Sequence, residues 1–175
     1  MRPTTRTERI RKTIVWDLVR DVRSLDHQLN RITAQMTETL DGYDNRLLEI
    51  DGIGPVLAVR LLGRTGRPSR FRSSDAFASY VGVAPIEVSS GERITHRLSR
   101  SGDCRLNSAL HLIAVTQVRM RDSAGHRYFD RKIEEGKTRN EAMRCLKRKI
   151  ASHVWRRMLG VDRRRHHRLA PAEAA

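Results

Sequence analysis

The chain has 175 residues, 38% hydrophobic and 5% aromatic, with 35 Lys and Arg against 20 Asp and Glu, for a net charge of +15. That length supports one cored domain, or a small domain with an appendage. So few aromatics argue against a protein that stacks single-stranded bases. Most of the positive charge is arginine, whose planar fork matches phosphate oxygens, so nucleic acid is the leading partner and an anionic membrane surface the weaker rival.

No apolar run approaches ~18 residues, so no membrane-spanning helix is expected. The start, MRPTTRTERIRKT, has no apolar core behind it and does not read as a secretory signal. The expectation is a soluble cytoplasmic protein of bacterial type. Cys104 and Cys145 form no CxxC pair and are expected as small, buried, free thiols.

In chain order, residues 1–43 read as a long helical arm. Val15, Val22, Leu29, Met36 and Tyr43 recur every seven residues, and Leu18, Leu25, Ile32 and Thr39 recur three places later. This is the seam of a coiled coil, either dimerising or intramolecular. The plain alternative is a long helix lying on the core of its own domain.

Residues 44–160 read as a compact helical domain. Asp44 is placed to cap a short helix carrying Leu47, Leu48 and Ile50, and the turn DGIGP follows. Gly52 and Gly54 permit unusual backbone angles, and Pro55 suits the first position of a new helix. That helix carries Val56, Leu57, Val59, Leu61 and Leu62. Residues 44–64 thus resemble a helix-hairpin-helix, whose main-chain N–H groups would hold a DNA phosphate. A tight turn between two packed helices is the plain alternative. Arg60, Arg64, Arg67, Arg70 and Arg72 follow with no acid among them and extend the expected DNA face.

A short helix capped by Ser73 or Ser74 is expected to bury Phe77 and Tyr80. Residues 82–101 have no helical period, which predicts an irregular serine-bearing loop with room for a short hairpin around Gly91. A helix starting near Ser101 or Asp103 buries Leu106, Leu110, Ile113 and Ala114, with Arg105 in its first turn joining the binding set. Another covers about 126–135 on Tyr128, Phe129 and Ile133. The last runs from about Asn140 to Leu159. Ala142, Met143, Leu146, Ile150 and Val154 share one of its faces, and Arg144, Lys147, Arg148 and Lys149 share the other. Residues 161–175 are expected as a disordered basic tail. The fold class is mainly α.

The order of these motifs is a glycine hairpin, an arginine run, FASYVGVAP, SSG, then LSRSGD opening a helix. That order resembles the C-terminal transposase domain of the insertion-sequence 110/116/902 family, over roughly residues 46–159 plus the arm before it. The resemblance implies a DNA transposase or recombinase in which a serine of the SSG segment attacks the DNA backbone. Ser89 is the better match by order after Gly82 and Pro85. Ser90 is the second choice, because the stretch between SSG and LSRSGD is one residue shorter than usual. SRSGD resembles the family's Ser-Lys-x-Gly-Asp/Asn segment with Arg100 in place of Lys. Asn107 stands where the family often has Arg.

The resemblance further implies partners: DNA, a structured guide RNA, and further copies of the chain through the arm. It implies an RNase H-like domain whose acidic residues hold divalent metal such as Mg. No such acidic quartet is legible here, so no cofactor or metal is expected on this chain, and it is expected to be inactive alone. The chemistry suits the residues. A serine hydroxyl needs a base or metal to take its proton. Arg93, Arg97 and Arg100 could neutralise charge building on phosphoryl oxygens, and His96 could move the proton. Two alternatives stay open: a non-catalytic helix-hairpin-helix DNA-binding module, and a truncated dimerisation partner of a full-length transposase.

Overall fold

The computed structural model describes residues 5–43, 46–90, 93–98 and 102–169, and for 86–90, 93–98 and 165–169 it describes the backbone alone. The chain divides into two units, Met1–Thr39 and Leu40–Ala175.

The first unit is helix α1 (Arg6–Asp41), which runs a few residues into the second. A reciprocal capping box starts it. Glu8 N donates to Thr5 Oγ1, and Thr5 N donates to Glu8 Oε2. Neither Gly nor Pro interrupts it. The seam residues Val15, Leu18, Val22, Leu25 and Leu29 are 57–62% exposed. The arm therefore buries little of the apolar surface that normally stabilises a helix of this kind.

The second unit is mainly α. It begins with a single 3-10 turn, Leu47–Glu49, followed by α2 (Pro55–Thr65) and a second 3-10 turn, Pro68–Arg70. Then come α3 (Ser74–Tyr80), β1 (Pro85–Ser90), β2 (Arg93–Leu98), α4 (Cys104–Arg119), α5 (Ala124–Glu134) and α6 (Arg139–Leu169). The core gathers Leu61 from α2, Phe77 from α3, Leu106, Leu110 and Ile113 from α4, and Leu146, Val154 and Met158 from α6. Their spacings of three and four put them on one stripe of each helix.

Helix α6 packs against α3, α4, α5 and both 3-10 turns. Polar bonds fasten these neighbours to it. Trp155 Nε1 donates to Pro68 O at 3.1 Å, Ser74 and Ser152 join hydroxyls at 2.6 Å, and Arg157 pairs with Glu49 at 3.1 Å. Arg148 pairs with Asp75 in the first turn of α3, where the carboxylate suits the helix dipole.

Several expectations change. The first helix of the 44–64 module is only the 3-10 turn, because Ile50 is already extended and leaves too few residues for an α-helical turn. Asp44 lies outside the described residues. Residues 85–90 and 93–98 form an antiparallel two-stranded ribbon, the short hairpin allowed for within the serine-bearing loop. Its register pairs Pro85 with Leu98, Ile86 with Arg97, Glu87 with His96, Val88 with Thr95, Ser89 with Ile94 and Ser90 with Arg93. The β-branched Ile86, Val88, Ile94 and Thr95 favour it.

The C-terminal helix runs to Leu169 instead of stopping near 159. Met158 and Val161 still bury there, at 2% and 3% exposure, so packing carries the helix into the segment read as a tail. Residues 170–175 lie outside the described part. Ile133 is exposed and Lys147 is buried, the reverse of their assigned faces. Both cysteines are free thiols, but Cys104 is exposed and Cys145 half-buried. Among the described residues, no helix is long and apolar enough to cross a membrane.

Leu110→Ala should lower stability by about 2–5 kcal/mol, the usual cost of emptying a closed core site. Leu25→Ala on the bare seam should leave unfolding of the compact unit within about 0.5 kcal/mol. Urea denaturation of the two variants checks the contrast.

Candidate nucleic-acid interface

The ribbon leaves and rejoins the helical body through Gly82 and Gly102, which lie against each other. Gly102 has φ +111°, and a Cβ there would stand 2.7 Å from Gly82 N and 2.8 Å from Tyr80 O. No side chain fits. The next residue closes the root, with Asp103 N donating to Tyr80 O at 2.8 Å.

Asp103 has two further tasks. Its Oδ1 caps α4 by accepting from Arg105 N and Leu106 N, each at 2.9 Å. Its carboxylate also holds the fork of Arg64, with Nε at 2.8 Å and Nη2 at 2.7 Å from Oδ2. The Arg64 bond, reinforced by the two backbone N–H groups, lowers the pKa of Asp103, and the same bond raises that of Arg64.

The other arginines of the run lie in different settings. The guanidinium of Arg70 sits 4.4 Å from the Phe71 ring centre and 4.5 Å from that of Tyr80. Arg67, Arg72 and Arg105 are exposed and Arg60 is half-buried. Among the described residues no carboxylate pairs with these four.

Along the ribbon, the pleat alternates positions between faces. Positions 86, 88 and 90 fall with 93, 95 and 97, and positions 85, 87 and 89 fall with 94, 96 and 98. Ser90 therefore shares a face of the ribbon with Arg93 and Arg97, and Ser89 shares one with His96. The side chains of Ser89, Ser90, Arg93, His96 and Arg97 lie outside the described part, and Arg100 lies outside the described residues altogether.

The glycine hairpin is built at the opposite end of α4. Gly52 has φ +79°, and a Cβ on it would come within 3.2 Å of Ile113 O and of Thr116 Cβ. Gln117, nearly buried, holds the turn by donating Nε2 to Asp51 O at 2.7 Å. Gly54 is the N-cap of α2 and carries no capping side chain, and open space surrounds its Cβ position. The first N–H groups of α2 thus have no side-chain acceptor, which is the condition for holding an anion.

Thirteen residues of α4 separate Asp103 from Thr116, or about 20 Å at 1.5 Å per residue. The arginine run was expected to extend the face of the glycine hairpin. Arg64, Arg70 and Arg105 instead gather at the ribbon root, through Asp103, Tyr80 and the start of α4.

Comparison with known proteins reaches the same segment. Residues 44–130 match the Transposase IS116/IS110/IS902 family. This segment belongs to that transposase family. The chain is 31% identical over 153 residues to the "Insertion element IS900 uncharacterized 42 kDa protein" of Mycobacterium paratuberculosis, which covers 85% of this chain and 38% of that protein. It is 33% identical over 151 residues to the "Pilin gene-inverting protein" of Moraxella bovis, covering 83% and 46%. It is 30% identical over 142 residues to the "Insertion element IS110 uncharacterized 43.6 kDa protein" of Streptomyces coelicolor, covering 79% and 35%. The chain thus spans less than half the length of each of these relatives.

Within the transposase segment and the helix after it, one pair escaped the sequence reading. Lys147 is 7% exposed and donates to Asn107 Oδ1 at 2.5 Å. Asn107 Nδ2 in turn donates to Gly82 O at 2.8 Å. Burial pushes the Lys147 pKa down. The Lys147 side chain therefore stands behind Asn107. The two partners are forty positions apart, and no local pattern joins them. Among the described residues no group of three or more His, Cys, Asp and Glu side chains is arranged to hold a metal ion.

Asp103→Asn tests the root. The Asp103 carboxyl titrates below its unfolded value of about 3.9. Its contribution is therefore complete above that value and fades as pH falls through the lower, folded one. The variant should be less stable than wild type at pH 7, and the gap should shrink as pH drops below about 4. Urea midpoints taken at both pH values read this directly.

Proposed function

We propose that this chain is the serine-bearing part of a DNA transposase, cutting and exchanging DNA strands during transposition of an insertion sequence. Transposition and recombination are supported by the family match and by the names of the relatives. The serine chemistry is supported by one observation above the rest. The register puts positions 90, 93 and 97 on one face of a ribbon whose root is closed by Gly82, Gly102 and Asp103.

In the proposed step a serine Oγ forms a bond to phosphorus while a P–O bond to deoxyribose breaks. The departing oxygen keeps the electron pair and takes a proton, and the serine proton passes to a base. Attack by a free DNA hydroxyl on the phosphoserine reverses these changes and completes the exchange. Arginine forks beside the phosphoryl group stabilise the charge that builds on it. The shared face of Ser90, Arg93 and Arg97 favours Ser90. The shared face of Ser89 and His96 favours Ser89 in proton transfer. Charge stabilisation is the larger demand in phosphoryl chemistry, so Ser90 is the preferred nucleophile and Ser89 the alternate.

The proposal includes three partners. Duplex DNA is gripped at the ribbon root by Arg64, Arg70 and Arg105, with Arg60, Arg67 and Arg72 of the same run adding positive charge, and at the glycine hairpin by Gly52, Gly54 and the open start of α2. A structured guide RNA selects the DNA. A separate acidic domain holds divalent metal such as Mg. No step on this chain's own residues is routed through that metal. A second reading, a DNA clamp without chemistry, is favoured by the open α2 N-terminus lying about 20 Å from the ribbon root.

Nicked element-end DNA, incubated with the chain and the acidic domain supplied in trans, separates these readings. A denaturation-stable protein–DNA adduct should form, persist in Ser89→Ala and vanish in Ser90→Ala. The reverse pattern moves the nucleophile to Ser89. An adduct indifferent to both changes removes both ribbon serines as the nucleophile, and no adduct beside normal DNA binding leaves the clamp.

The exposed seam of α1 is proposed to pair with the same seam of another copy. Sedimentation of the whole chain should show a concentration-dependent oligomer, and Leu18→Glu with Leu25→Glu should reduce it to monomer. A wild-type chain that stays monomeric at high concentration removes this part of the proposal.

A further inference from the structure

Between Glu141 and Asp162 helix α6 carries no acidic residue but six Lys and Arg. Four of these six are engaged. Arg144 pairs with Glu141, Lys147 bonds Asn107, Arg148 pairs with Asp75 and Arg157 pairs with Glu49. The remaining two, Lys149 and Arg156, are exposed and have no carboxylate partner among the described residues.

From 149 to 164 the exposed positions of α6 are Lys149, His153, Arg156, Arg163 and Arg164. Every one carries a cationic or imidazole side chain. The series 149, 153, 156, 160, 163 steps by four and three and marks one helical face. Position 160 is glycine, and Arg164 Nη1 lies 3.5 Å from where its Cβ would be, so a guanidinium covers the gap. Like charges crowd this face. Burial first, then Arg157, Arg156 and Lys149, push the pKa of His153 down.

The stripe begins beside the glycine hairpin. Lys149 and His153 line a cavity of about 320 Å³ together with Asp51, at the hairpin itself, and Gln117, which holds that turn. Glu49 also lines it, but Glu49 is committed to Arg157 and Arg46. The exposed Asp51 is the opposing charge at the cavity rim.

We propose that the face formed by Lys149, Arg156 and Arg163 is a second track for a duplex DNA backbone, continuous with the glycine hairpin and separate from the ribbon root. This rests on the reading of the chain as a DNA-handling protein. Seven residues of helix rise about 10.5 Å, so successive cations stand about 10.5 Å apart. That is close to the roughly 12 Å width of the B-form major groove, and a straight helix laid across it meets phosphates on both rims. A-form RNA offers only a deep, narrow major groove, which does not match this spacing. Two separate tracks suit a protein that must hold two DNA segments to exchange their strands.

The test compares two triple variants of the full chain with the same loss of charge. One is Lys149→Gln, Arg156→Gln and Arg163→Gln, and the control, on the arm, is Arg9→Gln, Arg23→Gln and Arg31→Gln. Anisotropy of a labelled 30-base-pair DNA duplex, titrated across a range of salt, gives affinity and the log–log salt slope. Circular dichroism melting verifies that each variant is folded. Each lost phosphate contact lowers the slope by about 1, so the stripe variant should lose about 3 while the arm control loses little.

Equal losses in both variants would reduce the effect to bulk charge and overturn the proposal. So would normal slope and affinity in the stripe variant while wild type binds, which leaves the DNA-handling reading intact. Loss confined to a matched RNA duplex would also overturn it. A wild-type chain that binds no DNA at any salt sinks both this proposal and the reading beneath it.

Discussion

The transposase segment depends on a contact between two glycines. Where Gly102 meets Gly82, the chain comes too close to itself for any side chain. The contact lets Asp103 N reach Tyr80 O and aims the Asp103 carboxylate at the first turn of α4 and at Arg64. One residue therefore joins three segments: the Asp103 carboxylate ties the end of α2 to the start of α4, and its main-chain N–H ties both to the end of α3. A ribbon of two strands is marginal by itself. Here its backbone exits are fixed from below by the body of helices.

That construction separates two tasks along α4. At one end, ribbon and arginines are organised around Asp103 and Tyr80. At the other, a turn with few side chains is pinned by Gln117 and opens the N-terminus of α2 to solvent. Helix α2 runs between the two ends, with Gly54 at its start and Arg64 in its last turn. A change in the seating of α2 on α4 would be felt at both. The helix offers a physical link between the open turn and the ribbon root, since close-packed interiors transmit small displacements.

Helix periodicity made much of the second unit legible. Phe77, Leu106, Leu110, Ile113, Leu146, Ile150 and Val154 were read as core and are buried. Of the candidate helix starts, Ser73 or Ser74 and Ser101 or Asp103, it is Ser73 and Asp103 that accept from backbone N–H groups of the helices they start. The misreadings have local causes. The segment before the glycine turn has apolar residues at helical spacing but too little length. The ribbon mixes Ser, Thr, Arg and Glu, so a hairpin around Gly91 was legible but the six-residue length of each strand was not. Residues 161–169 read as polar, yet Val161 continues the buried stripe of α6. Lys147 could not be placed from its own helix, because its position is set by Asn107 on α4. The division of the arginines between two ends of α4 is likewise a product of tertiary packing that spacing does not encode.

Arg70 has a consequence of its own. Its guanidinium carbon lies 4.4 Å and 4.5 Å from the centres of two aromatic rings, and Phe71 and Tyr80 themselves touch at 5.1 Å between ring centres. Attraction to the rings holds the ion while none of its N–H groups is spent on them. A long, mobile side chain has thus surrendered much of its rotational freedom before any anion arrives. An incoming phosphate would meet a preset fork, and a lysine at this position, lacking a flat surface to lie on the rings, would not supply one.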